Sequence, residues 1–109
     1  MTSAEAGQGA AGNRDERTDA RGTDDVIVRM WEARAEPYGF AELISWVCDT
    51  ALPELEHDPL HVSSEVFSST DHRLVVISKW RSSPRPLPEP PARLVARPPH
   101  SWDFAQVDR

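Results

Sequence analysis

The first 25 residues contain no Val, Ile, Leu, Phe, Tyr or Trp, and apolar side chains then begin abruptly at Val26. A segment without such side chains cannot offset its ordering entropy by burial. Residues 1–25 are therefore expected to form a disordered tail and residues 26–109 a single folded domain. Val26-Ile27-Val28-Arg29-Met30-Trp31 is rich in β-branched and aromatic types, which suit a largely buried strand. Glu36-Pro37 stops it, and proline fits the first turn of a following helix because its missing N–H costs nothing there. Phe40, Leu43, Ile44, Val47 and Ala51 recur at the spacing of one helical face, with Glu42, Ser45 and Asp49 on the other. The helix should end near Leu52, because Pro53 disfavours helical geometry in the residue before it, although Glu54-Leu55-Glu56 could add a last turn.

After Asp58-Pro59, the residues Val62, Ser64, Val66 and Ser68 alternate with His61, Ser63, Glu65 and Phe67, as in a strand with one wetter face. Ser68-Ser69-Thr70-Asp71 makes a turn, and Leu74-Val75-Val76-Ile77-Ser78-Lys79-Trp80 closes an antiparallel hairpin as the expected sheet centre. Seven of the ten prolines lie between Pro84 and Pro99, which excludes a long second helix. Ser101 to Val107 resumes alternation as a last strand. The order β, α, β, β, irregular segment, β predicts an α+β, ferredoxin-like frame: a four-stranded antiparallel sheet with one long helix, the second helix being replaced by a proline-rich loop. One helix leaves one sheet face uncovered, and a domain this small gains little from its own core, so a homodimer is expected.

A formal charge of −6 and a pI near 5.1 remove the broad attraction for phosphate on which nucleic-acid binders rely, so no nucleic acid is expected as a partner. No apolar run approaches the roughly 18 residues of a membrane span, and the N-terminus lacks a secretory pattern, so a cytoplasmic protein without a membrane partner is expected. Cys48 is the only cysteine, which rules out an internal disulfide; beside the helix stripe it reads as a small packed residue. Charge is uneven: from Glu32 to Asp71 nine acids meet only Arg34, and from Arg73 to Arg97 six bases meet only Glu89. If the two regions lie on different faces, this asymmetry would favour contacts with a partner.

The strand Val-Ile-Val-Arg, the Pro37 helix start, the helix exit Thr50-Ala51-Leu52-Pro53-Glu54-Leu55, the strand Ser64-Glu65-Val66-Phe67 and the strand Val75 to Trp80 together resemble the antibiotic biosynthesis monooxygenase family. The resemblance implies a dimeric α/β barrel of secondary metabolism that takes an aromatic or polyketide-like molecule. It also implies an oxygenation that needs no cofactor, although some relatives bind haem. Relatives usually carry a glycine between the first helix and second strand, where this chain reads Asp58-Pro59-Leu60-His61. They place a histidine-bearing helix soon after the strand-ending tryptophan, where this chain has prolines.

Trp80 matches that tryptophan, which lines the cavity in some relatives; on the residues alone it is more readily a core side chain. Trp46 at the edge of the helix stripe and Trp102 in the last strand could stack on a flat substrate or serve a dimer interface. His100, after a double proline, is the candidate base because imidazole titrates near neutrality, and the haem-binding relatives make it a candidate axial ligand. Arg29 could hold a carboxylate or phenolate, or pair with Glu65 if both face one side. His57 and His61 stand at a metal-ligand spacing for a helix, but Pro59 between them breaks such a helix, so no metal is expected.

Overall fold

The computed structural model describes residues 26–109; the expected tail, 1–25, lies outside the described residues. Four strands, β1 (Ile27–Arg34), β2 (His61–Ser68), β3 (Arg73–Trp80) and β4 (His100–Ala105), form one sheet in the order β2-β3-β1-β4. Every neighbouring pair is antiparallel. β1 and β2 consequently run parallel with β3 inserted between them, which is the α+β, ferredoxin-like arrangement.

β1 runs past Trp31, where its most hydrophobic stretch ends, to Arg34. Ala33 faces the core and is fully buried, while Glu32 and Arg34 find charged partners on the other face, so the chain stays extended. In β2 the register slips between His61 and Ser63. Val62 is thereby an extra residue, and the simple alternation expected from His61 onward restarts after it.

A 3-10 turn, Pro37–Gly39, leads into helix α1 (Phe40–Trp46), a π-helical turn (Val47–Ala51) and helix α2 (Leu52–Glu56). The helical path passes through Pro53 and takes the last turn that Glu54-Leu55-Glu56 allowed. A proline in a regular α-helix lacks one N–H and its ring strikes the carbonyl four residues back. Widening to i→i+5 bonding, with the Leu52 N–H donating to the Val47 carbonyl, makes room for that ring immediately before it arrives. Leu43, Val47, Ala51 and Leu55 stay aligned and buried against the sheet. Cys48, on the π turn, is exposed rather than packed.

The core lies between these helices and the sheet face that carries Trp31, Ala33, Leu74, Val76 and Trp80. Residues 81–99 contain only a short 3-10 turn, Ala92–Leu94. They are hooked to the end of β1: Glu36 N–H donates to the Leu94 carbonyl at 2.9 Å, and Ala96 N–H to the Arg34 carbonyl at 2.8 Å. Leu94 is buried beside Gly39, and Leu87 and Val95 pack against the same core. The apolar side chains of this proline-rich segment thus join the helix side of the sheet and leave the other face uncovered. No helix of the described residues is long and apolar enough to cross a membrane.

Candidate functional site

Cross-strand partners share a sheet face, so the register sorts every candidate residue. On the side away from the helices the sheet forms successive rungs: Arg34 with Arg73; His100, Glu32, Val75 and Phe67; Trp102, Met30, Ile77 and Glu65; Phe104, Val28, Lys79 and Ser63. Phe67, Trp102 and Phe104 remain 45–52% exposed. Met30, Val28, Val75 and Ile77 between them are half-buried. Such a contiguous apolar area with a charged rim is uncommon on a monomer and marks a contact surface.

The candidate residues divide between the two faces. His100, Trp102 and Glu65 lie on the open one. Arg29 and Trp80 point to the helix side, and Trp46 packs against the core from α1. The pairing of Arg29 with Glu65 does not occur: Arg29 instead donates to its cross-strand partner Asp103, Nε to Oδ1 at 2.7 Å and Nη2 to Oδ2 at 2.9 Å. A bidentate clasp uses the guanidinium edge that an anionic ligand would need. Trp80 is fully buried; its Nε1–H donates to Ser78 Oγ at 2.9 Å, and the His61 ring packs T-shaped against it with centroids 5.2 Å apart. That environment completes the needs of a core tryptophan and leaves no free ring face.

His100 stacks on Trp102, with centroids 5.9 Å apart and planes 28° from parallel, at the edge of the open face. A haem needs an enclosed apolar slot beside its axial imidazole. In the single chain an exposed His100 whose ring lies along Trp102 does not supply one. His61 is engaged with Ser64 Oγ at 2.7 Å and with Trp80. Among the described residues no group of three or more His, Cys, Asp or Glu is placed to hold a metal ion.

The charged end of the open face escaped the sequence reading. Glu32 is buried, its carboxylate held by Arg97 Nη2 at 3.1 and 3.2 Å and approached by Arg73 Nε at 3.1 Å. Asp71, in the β2–β3 turn, accepts from Arg34 Nη2 at 2.9 Å and from Arg73 Nη2 at 3.1 Å. The Ser69 hydroxyl and the Arg34 guanidinium hold the Asp71 carboxyl below the usual carboxylate range. On the helix side Arg93 does the same to Glu42. The one available signal was the charge asymmetry, whose acids and bases these contacts join. It therefore does not stand as a free partner surface: Arg73 and Arg97 meet Glu32, Arg93 meets Glu42, and Arg85 approaches Asp58 to 3.9 Å.

No protein-family model, curated protein or solved structure matches the chain.

Proposed function

We propose that this chain is a homodimeric α/β-barrel protein of secondary metabolism, similar to the antibiotic biosynthesis monooxygenases, that binds a small aromatic or polyketide-like molecule against its open sheet face. The observation that carries this reading is the apolar centre of that face, Met30, Ile77, Trp102 and Phe104, left half-exposed by the chain's own elements. Two copies packed face to face would remove it from water and enclose a space lined by aromatic rings.

In the oxygenase form of the reading, a base takes a proton from an electron-rich phenol or anthrone and the resulting carbanion reacts directly with oxygen. A methylene becomes a carbonyl and one water molecule leaves. His100 serves as the base and Trp102 as the stacking platform, since they are neighbours on one face. Arg29 has no part in this, because it lies across the sheet and is clasped by Asp103. That separation favours a second reading, in which the same face binds its ligand without turnover.

Sedimentation equilibrium tests the assembly, and titration of tryptophan fluorescence with hydroxylated anthrones, alongside an oxygen electrode, tests the ligand and the chemistry. A monomer at micromolar concentration, or no saturable quenching, overturns the proposal. Quenching with oxygen uptake that His100→Ala abolishes supports the oxygenase form, and quenching without uptake supports the binding form.

A further inference from the structure

Arg34 and Arg73 are directly opposed in the β1–β3 ladder. Like charges in that position repel unless something holds them. Asp71 bridges their Nη2 groups, and Glu32 lies between Arg73 and Arg97. Among the described residues three guanidiniums thus face two carboxylates, a surplus of one positive charge. The hydrogen bonding is incomplete as well. The Nε–H of Arg34 is buried without an acceptor, and that of Arg73, though close to Glu32, is not directed at it. Buried donors are normally paired, so two orphans on adjacent arginines mark a place where an acceptor is missing. The two Nε atoms are themselves covered, but both side chains remain 43% exposed, so an acceptor can reach the guanidinium ends from solvent.

We propose that Arg34 and Arg73 form a carboxylate-binding site at the end of the open face, taking the acid group of an amphipathic ligand whose apolar body lies along Met30, Ile77 and Trp102. The proposal rests on the reading of that face as a ligand surface and adds the chemical class of the ligand. Each guanidinium already gives Nη2 to Asp71, so an incoming carboxylate is met by the remaining N–H groups of the two arginines together rather than by the side-on edge of one. From the Arg34–Arg73 rung to the Trp102 rung is four residues along each strand, about 13 Å, which suits a fused-ring acid.

Calorimetric titration of the full chain with 2-naphthoate, 2-naphthamide and inorganic phosphate tests this. The acid should bind about tenfold or more tightly than the amide, as a hydrogen-bonded charge pair requires. Arg34→Gln should erase that preference while leaving the amide affinity in place, and Arg34→Lys should keep only part of it. Arg93→Gln, the same charge change on the helix side, should leave it intact. Equal affinity for acid and amide, or a preference that survives Arg34→Gln, overturns the carboxylate site alone. Phosphate binding as tightly as naphthoate overturns the amphipathic ligand. Failure of acid and amide alike overturns this proposal together with the ligand surface beneath it. If Arg34→Gln does not fold, the Arg34→Lys and Arg93→Gln comparisons with wild type still decide.

Discussion

Arg29 and Asp103 are cross-strand partners that grip each other through two parallel hydrogen bonds, on the helix side of the sheet at its β4 edge. All six residues of β4 are exposed, and among the described residues no other pair of charged side chains ties this edge strand to β1. Arg29→Ala should therefore loosen β4 rather than a ligand. The expected stability loss is about 1 kcal/mol, because the pair is partly solvated. Hydrogen exchange should accelerate at the backbone amides of Ser101 to Ala105 with little change elsewhere. A drop in ligand affinity with unchanged exchange would return Arg29 to the binding surface.

Glu32 is the buried partner shared by two half-exposed arginines. Glu32→Ala leaves Arg97 without its carboxylate and Arg73, crowded beside Arg34, with Asp71 alone. A loss of about 2–4 kcal/mol in urea unfolding is expected, toward the lower end because Arg73 and Arg97 can turn to solvent. A loss below about 0.5 kcal/mol would show that the cluster contributes nothing to stability.

The carboxyls of Asp71 and Glu42 titrate below their ordinary range in the folded chain, chiefly through Ser69 and Arg34 for the first and Arg93 for the second. A depressed folded pKa contributes stability that is present above the unfolded value, about 4, and is lost as pH falls through the folded one. The β2–β3 turn should lose protection below about pH 4, and Asp71→Asn should flatten that dependence. Because both groups are exposed, added salt should weaken the effect. An unchanged acid limb in Asp71→Asn would refute the assignment.

Gly39 lies against Leu94 so closely that an added Cβ would sit 3.0 Å from Leu94 Cδ2 and 3.2 Å from its Cα. The backbone there has no need of glycine's left-handed freedom; the need is space. Gly39→Ala should cost about 1–2 kcal/mol by pushing the 92–96 segment off the end of β1. Faster exchange at the Ala96 amide, which donates to the Arg34 carbonyl, is the local signature. Leu94→Ala should produce the same signature with a larger stability loss, about 2–4 kcal/mol, from the cavity it leaves.

Periodicity determined most of the fold. The runs at Val26 and Leu74 could only be strands, the apolar stripe from Phe40 to Ala51 only a helix, and the prolines after Arg81 left nothing regular to form. These are local statements, and one helix on four strands follows from them. Hydrophobic pattern also foretold that one sheet face would lie uncovered. It could not say which residues share that face, because a face is set by register, and one extra residue at Val62 shifts a strand's side chains. Only the assembled sheet placed His100, Trp102 and Glu65 on one side and Arg29 and Trp80 on the other. The same holds for charge. Sequence showed acids early and bases late, and tertiary structure decided that they meet, because the β1–β3 pairing and the 81–99 segment bring Arg73 and Arg97 back to Glu32. Pairings across tens of residues depend on chain topology, to which no local spacing is sensitive.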